Sequence, residues 1–170
     1  MKGHPGGEAH TRRMIALADL SEGARVLDMG AGAGEAVKLL RALGFEAYGI
    51  DLEPRGEDVE KGDFLATDFP DGSFDAVLSQ CAFLVSGDQA GALREAHRLL
   101  RLGGKLLLSD VFFEAPEALL AAAGFAVLRA EDMTALWREY YLEALWRDET
   151  PCCAIPRGKC EYWLIIGRKV

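Results

Sequence analysis

An alternating run of glycines carries the strongest signal for ligand binding in this sequence. Asp28 stands near the end of a short apolar segment, two residues before the first glycine of the run. Glycine allows the backbone to approach a ligand closely and to turn sharply into a helix, whose first N–H groups favour negative charge. The run therefore predicts a binding loop at the start of a helix. Its candidate binding residues are Asp28, Gly30, Ala31, Gly32 and Gly34.

A second carboxylate is spaced to reach the sugar of a nucleotide. Asp51 follows Gly30 by roughly 20 residues, the separation that places an acid beside the ribose in nucleotide-binding βαβ units. Its two oxygens can accept hydrogen bonds from the 2′ and 3′ hydroxyls. The spacing implies a ligand that contains adenosine.

The charges around the glycines indicate which ligand this is. A dinucleotide loop needs glycine at its first, third and sixth places, but the sixth place counted from Gly30 is Glu35, whose carboxylate would repel a pyrophosphate. This argues against a nicotinamide oxidoreductase. Asp28 adds a further negative charge, which suits an ammonium or a sulfonium. S-adenosylmethionine carries both cations and is the predicted cofactor.

The elements that position these residues follow from the hydrophobic pattern. Leu106, Leu107 and Leu108 show no alternation, as expected for a strand covered on both faces. Strands are predicted at 25–29, 45–51, 74–79, 105–110, 125–130 and 162–166, and helices at 8–20, 35–43, 88–102, 116–123 and from 132 onward. Strands alternating with helices predict a single α/β domain over residues 1–170, with a doubly wound sheet and helices on both faces.

Composition limits the classes of partner. Half of the 170 residues are hydrophobic, 27% are charged and the net charge is −8, so no basic field is present to attract a nucleic acid. No run approaches the roughly 18 apolar residues of a membrane span, and the first residues lack an apolar signal core. We expect a cytoplasmic protein that binds neither nucleic acid nor membrane.

Five segments in order resemble motifs of the class I S-adenosylmethionine-dependent methyltransferases, of the small type 11 kind. They are VLDMGAGAG at 26–34, YGID at 48–51, GDF at 62–64, FPDGSFD at 69–75 and RLGGK at 101–105. The resemblance runs from about Thr11 to Phe125. It implies a Rossmann-like, mostly parallel sheet with strand order 3-2-1-4-5-7-6, whose antiparallel last strand would be residues 162–166.

The same resemblance implies roles for further residues around S-adenosylmethionine. Asp28 and the Ser79 carbonyl would hold its ammonium, while Leu52 would cover one face of the adenine. Asp63 would accept from the adenine amino group, and the Phe64 amide would donate to the ring. None of these residues performs the reaction, because a sulfonium is already electrophilic and its displacement chiefly needs alignment. The implied activity is methyl transfer to a small-molecule acceptor without a metal cofactor.

Two residues are candidates for the acceptor side. Asp110 is predicted at the tip of the strand over 105–110, on the rim where open sheets bind ligands, and is a candidate base or acceptor contact. Cys81 follows the tip of the strand over 74–79 and would lie near the transferred methyl, although a buried structural cysteine fits its position equally well.

The sequence also departs from the family pattern. The stretch from Leu52 to Gly62 is too short and too broken by Pro54 and Gly56 for the helix that the family usually has there. Few residues remain to build an acceptor site, so a homodimer or a partner protein would complete it. A non-catalytic module that binds S-adenosylmethionine is therefore an alternative function.

The clustered cysteines suggest another alternative. Cys152, Cys153 and Cys160 lack the spacing of a zinc site, but three thiols near a methyl donor can hold a thiophilic acceptor, as arsenite methyltransferases do. Plain reduced thiols explain them as well. We predict no metal site.

Histidines and aromatic residues complete the set of candidates. His4 would either fold over the cofactor as part of a lid or be mobile, whereas His10 and His97 are predicted on the surface. The aromatic stripe over 137–141 is predicted to be core, with an acceptor pocket as the alternative.

Overall fold

The computed structural model describes residues 3–149, 151 and 157–170. Its strands are β1 Arg25–Met29, β2 Glu46–Asp51, β3 Glu60–Lys61, β4 Phe74–Gln80, β5 Leu100–Phe112, β6 Phe125–Asp132 and β7 Glu161–Lys169. Its helices are α1 Gly7–Ala18, α2 Glu35–Ala42, α3 Gln89–Leu99, α4 Pro116–Ala122 and α5 Thr134–Trp146. All seven strands form one sheet.

The strand order is β3-β2-β1-β4-β5-β7-β6, which confirms the predicted topology. Neighbouring strands from β3 to β5 pair in parallel, and β7 is antiparallel to both β5 and β6. The carboxyl ends of β1, β2, β4 and β5 therefore meet at one edge of the sheet. In open α/β sheets this is the edge at which ligands bind.

Helices cover both faces of the sheet. One core joins the sheet to α3 and α4, and a second core joins its other face to α1 and α2. Leu106 and Leu108 lie in the first core and Leu107 in the second, and none of the three is exposed. Their lack of alternation thus has the predicted cause, because each face of β5 is covered by apolar side chains.

The predicted helix over 88–102 ends three residues too late. Asp88 caps α3, since its Oδ1 accepts from the Gly91 N–H at 2.7 Å. The helix nevertheless stops at Leu99, and β5 already begins at the fully buried Leu100, which pairs with Phe74 ahead of a register shift. Tertiary pairing with β4 therefore overrides the helical pattern of this segment.

The predicted surface positions of two histidines are wrong. His10 is 4% exposed and lies beneath α1 against the sheet, while His97 is partly buried with its ring edge-on to Phe125. Desolvation lowers the pKa of both imidazoles, that of His10 to about 4. His10 and its neighbour Thr11 extend the buried face of α1 beyond the apolar residues that mark it in the sequence.

The connection between β2 and β4 contains no helix, as predicted from its length and composition. Its only regular element is the two-residue β3, which pairs with the end of β2. Within the described part of the chain, no helix has both the length and the apolar character needed to cross a membrane.

Candidate functional site

The glycine run forms a loop at the carboxyl end of β1, where the backbone itself demands glycine. Gly30 and Gly32 have φ angles of 86° and 54°, in the left-handed region. The Gly30 N–H donates to the Ile50 carbonyl oxygen at 2.9 Å, which ties the loop to β2. Gly34 then occupies the N-cap of α2. The loop thus presents its backbone at the ligand-binding edge of the sheet.

Asp51 is held against this loop. Its Oδ2 accepts from the Gly32 N–H at 2.8 Å, and its Oδ1 accepts from the Glu53 N–H at 2.9 Å. Each carboxylate oxygen can accept more than one hydrogen bond, so both keep capacity for a further donor. The structure therefore brings the two predicted elements, the glycine loop and the second acid, into direct contact with a fixed carboxylate orientation.

Asp28 is a buried acid at the start of the glycine loop. It is 4% exposed, and no hydrogen bond or ion pair to its carboxylate is present among the described residues. Burial, and secondly the negative charge of Asp51, raise its pKa to about 7. A cation bound beside it would relieve both effects. We call residues 28–34 and 51–55 together the glycine-loop side of the site.

The residues predicted to surround adenine lie close to this loop. Phe64 is buried beside Gly30, with a ring carbon 3.6 Å from where a Cβ on that glycine would stand. Asp63 is exposed, and its Oδ1 accepts from the Leu65 N–H at 2.8 Å. Leu52 is 56% exposed at the end of β2. An apolar ring, a carboxylate and an exposed leucine are thus available at this end of the loop.

Ser79 fastens the tip of β4 to that of β1. It is fully buried, and its hydroxyl donates to the Met29 carbonyl oxygen at 2.7 Å. Beyond it, Ala82 packs so closely on Gly30 that a Cβ on the glycine would collide with the alanine side chain. Gly30 is therefore required by the approach of the chain after β4, apart from any ligand.

Asp110 holds that same stretch of chain. It is 2% exposed, and its Oδ2 accepts from the Phe83 and Leu84 N–H groups at 2.8 and 3.1 Å. Its Oδ1 accepts from the Val111 N–H at 2.7 Å. Both oxygens are engaged by backbone amides, so the geometry makes Asp110 a positioning residue for the loop after β4.

Cys81 ends a buried chain of hydrogen bonds that the sequence did not reveal. The His10 Nε2 lies 2.8 Å from the Ser109 hydroxyl, which donates to the Tyr162 hydroxyl at 2.6 Å. The Tyr162 hydroxyl lies 3.5 Å from the Cys81 sulfur, and burial raises the pKa of this phenol well above its usual value. With His10 also uncharged at neutral pH, the chain is a neutral polar network.

The N-terminal segment is anchored over the end of β4. The His4 Nε2 lies 3.1 Å from the Thr11 hydroxyl, and its Nδ1 lies 3.1 Å from the Gln80 amide nitrogen. The Tyr140 hydroxyl donates to the Gly3 carbonyl oxygen at 2.9 Å. Three contacts from three elements thus hold residues that terminal position alone suggested would be mobile.

The aromatic stripe of α5 is core, as predicted. Its members are only 5–7% exposed and pack around the tips of β4, β5 and β7. The cluster comprises Cys81, Val111, Trp137, Tyr140, Tyr141, Cys160 and Tyr162. We call this cluster, together with Asp110, Ser109 and His10, the aromatic side of the site.

Of the three clustered cysteines, the structure describes only Cys160. Cys160 is buried, which raises the pKa of its thiol, and it shares the aromatic side with Cys81. Cys152 and Cys153 lie outside the described residues. Within residues 3–149, 151 and 157–170, no three histidine, cysteine or acidic side chains are grouped so that they could hold a metal ion.

Comparison with protein families and curated sequences agrees with the geometry. Residues 27–108 match a family described as "Methyltransferase domain". The chain is 37% identical over 134 residues to an uncharacterized methyltransferase of Anoxybacillus flavithermus, covering 68% of this chain and 61% of that protein. It is 36% identical over 115 residues to a demethylmenaquinone methyltransferase of Thermus thermophilus, covering 58% and 52%.

More distant similarities show the range of the fold. An arsenite methyltransferase of Aquipseudomonas alcaligenes is 30% identical over 118 residues, covering 55% of this chain and 34% of that protein. The solved structure of phosphoethanolamine N-methyltransferase 2 of Haemonchus contortus with S-adenosyl-L-methionine has a TM-score of 0.78 at 19% identity, covering 98% and 53%. The [4+2]-cyclase SpnF has a TM-score of 0.73 at 20% identity, covering 99% and 84%. The chain spans between about a third and three fifths of these curated relatives.

Proposed function

Because the chain belongs to the class I S-adenosylmethionine-dependent methyltransferase family, we propose that it transfers a methyl group from S-adenosylmethionine to a small-molecule acceptor. The observation that carries the proposal is the buried Asp28 carboxylate beside the glycine loop, for which the described part of the chain supplies no partner. An uncompensated buried charge is costly, and a ligand cation is the natural compensation.

The cofactor would lie along the glycine-loop side. Asp28 and the Ser79 carbonyl would receive its ammonium, and the remaining lone pairs of Asp51 would accept from the ribose hydroxyls. The ring of the adenine would enter between Leu52 and Phe64, with Asp63 at its amino group. The fixed orientation of Asp51, set by two backbone N–H groups, supports this arrangement because little ordering remains to be done on binding.

The reaction would be a direct displacement. A lone pair of the acceptor forms a bond to the methyl carbon while the carbon–sulfur bond breaks, and its electron pair stays on sulfur to give S-adenosylhomocysteine. The protein's part is to align acceptor, methyl and sulfur. A base is needed only if the acceptor loses a proton. We propose that Cys81 lies nearest to the acceptor. We propose that Asp110 acts on the acceptor indirectly, by holding the loop after β4 in place.

Calorimetry with S-adenosylmethionine and S-adenosylhomocysteine tests the cofactor. We expect the intact protein to bind both and Asp51→Ala to lose about 10- to 150-fold in affinity, since a charged hydrogen-bond acceptor contributes about 1.5–3 kcal/mol. Asp68→Ala, which removes an exposed carboxylate elsewhere, serves as the control. Absence of binding at millimolar ligand, or equal affinity of Asp51→Ala and Asp68→Ala, contradicts the proposal.

A non-catalytic module, or a different reaction on the same fold, is the second candidate. It is favoured by the small acceptor region, and the cyclase among the structural neighbours illustrates that one fold carries several reactions. An assay for transfer of a labelled methyl group distinguishes a methyltransferase from this second candidate. Binding of cofactor without transfer to any quinol, amine or thiol would favour the second candidate.

A thiol-bound metalloid acceptor is a narrower form of the first candidate. Cys81 and Cys160 share the aromatic side, although the raised pKa of the Cys160 thiol disfavours the thiolate that such a ligand needs. Arsenite should protect the cysteines from alkylation if they hold it. Equal alkylation with and without arsenite eliminates this acceptor.

The acceptor side would be completed by a second copy of the chain or by a partner protein. Apart from the loops after β4 and β5, α5 is the main element that the described chain contributes there. Light scattering with and without cofactor tests for the second copy. A monomer that turns over a small acceptor by itself contradicts this part of the proposal.

A further inference from the structure

Arg55 covers the glycine loop at the place proposed for the nucleoside. Its backbone N–H donates to the Gly32 carbonyl oxygen at 2.8 Å, and the next residue, Gly56, packs on the Ala33 carbonyl oxygen. A terminal nitrogen of its guanidinium lies 2.6 Å from where a Cβ on Gly32 would stand. The side chain therefore rests on the face of Gly32 that would otherwise be open.

The guanidinium has no carboxylate at ion-pair distance within the described ranges. It is exposed to solvent, but it lies against Gly32, the glycine whose N–H donates to the Asp51 carboxylate. Contact with the glycine loop holds it there, and the nearby Asp51 carboxylate attracts it at longer range. Arg55 thus places a positive charge on the face of Gly32 where the proposed ligand would place its positive charge.

We propose that Arg55 is an internal competitor of the cationic nucleoside, with its guanidinium on Gly32 where the nucleoside would lie, and that it leaves this position when S-adenosylmethionine binds. This inference rests on the proposed function. Ligand and guanidinium compete for the same face of Gly32, next to the Asp51 carboxylate. The competition lowers the apparent affinity by the fraction of molecules in which Arg55 is in place.

The short connection between β2 and β4 explains why one arginine can do this. The segment crosses the glycine loop directly instead of forming a helix, and the hydrogen bond from the Arg55 backbone pins it there. Replacing the side chain leaves this backbone contact intact. The proposed role can therefore be removed without removing the segment.

The test is calorimetry and stopped-flow binding of S-adenosylmethionine and S-adenosylhomocysteine to the intact chain and its variants. We expect Arg55→Ala to bind S-adenosylmethionine about 3- to 10-fold more tightly than the unaltered protein, mainly through faster association. Arg55→Met, which keeps an apolar stem but no charge, should behave like Arg55→Ala if charge holds the side chain in place. The control for net charge is Arg94→Ala, which removes an exposed guanidinium from α3.

A second readout separates this role from a structural one. Arg55 packs on the glycine loop beside Asp51, so Arg55→Ala should lower the melting temperature measured without ligand and increase the upward shift on adding it. Unchanged or weaker binding by Arg55→Ala, with the intact protein binding normally, overturns the competitor role and leaves the proposed function in place. Failure of both proteins to bind overturns both proposals. Binding by Arg55→Ala alone would support them together.

Discussion

The two sides of the carboxyl edge treat buried polar groups in opposite ways. On the glycine-loop side, Asp28 and Asp51 carry charge of one sign, and Asp28 has no partner within the described residues. On the aromatic side, His10, Ser109 and Tyr162 satisfy one another as a neutral chain. The first arrangement leaves a charge without compensation and therefore indicates the charge of its ligand. The second carries no charge along its chain of hydrogen bonds, and the buried Trp137 indole N–H beside it has no partner within the described residues. This is why the site points to a cofactor and leaves the acceptor open.

The largest expected effect is a change of stability at Asp28. Its folded pKa of about 7 lies above that of the unfolded chain, so the folded state loses stability as the pH rises from about 4 through 7. At pH 8, Asp28→Asn should raise the free energy of unfolding by about 2–4 kcal/mol and weaken binding of S-adenosylmethionine more than tenfold. Urea unfolding and calorimetry measure the two, with Asp68→Asn as the exposed control. If Asp28→Asn is less stable than the unaltered protein at pH 8, the carboxylate of Asp28 is not an uncompensated charge and the contrast between the two sides is wrong.

His10 should give the opposite pH dependence. Its folded pKa of about 4 lies below the unfolded value of 6.5, so its contribution is present above pH 6.5 and is lost as the pH falls toward 4. The slopes of Asp28 and His10 therefore oppose each other in the intact protein. In His10→Gln, the free energy of unfolding should lose about 2–3 kcal/mol less on acidification than in the unaltered protein. Urea unfolding between pH 4 and 8 should then show the pH dependence that Asp28 contributes. An unaltered profile would show that His10 does not titrate as its burial requires.

Removing the middle of the neutral chain has the next largest effect. Ser109→Ala leaves the His10 Nε2 and the Tyr162 hydroxyl without their shared partner in a buried site, which should cost about 1–3 kcal/mol. Ser21→Ala, an exposed control, should stay within about 0.5 kcal/mol. The comparison between the two sides is sharpened if cofactor affinity remains unchanged in Ser109→Ala at a temperature where the variant is folded.

The smallest expected effect is that of Asp110 on cofactor binding. Asp110→Asn replaces an acceptor of backbone N–H groups by an amide that can satisfy them only in part, so the loop after β4 loosens. The affinity for S-adenosylhomocysteine should change less than about twofold, because the hydrogen bonds to Ile50 and Asp51 of β2 still hold the glycine loop, while methyl transfer falls. A large loss of cofactor affinity would show that the two sides are not separable.

The glycine-loop side was the more predictable of the two because it depends on local sequence. Glycines that need positive φ and an acid at the end of the next strand are fixed by a single βαβ unit, and their spacing can be read along the chain. The strand order came from family resemblance, since no local pattern specifies which strands are neighbours.

The remaining features depend on contacts between distant segments. The burial of His10 requires Ser109 and Tyr162, which arrive from β5 and β7, and the chain of hydrogen bonds has no signature at any one position. The early start of β5 depends on pairing with Phe74. The placement of Arg55 on Gly32 follows from the course of the connection after β2. In each case, contacts between segments that are distant in sequence determine the structure, and local sequence preferences do not.

The borders of the sheet restrict how two copies of the chain can associate. On one side the sheet ends in β3, which offers only the exposed, oppositely charged Glu60 and Lys61. On the other it ends in β6, whose pairing shifts register between Val127 and Arg129, and where Arg129 forms an ion pair with Glu131. Short, charged and irregular margins resist the addition of another strand. A dimer would consequently form through helices or loops rather than by continuing the sheet from one molecule into the next.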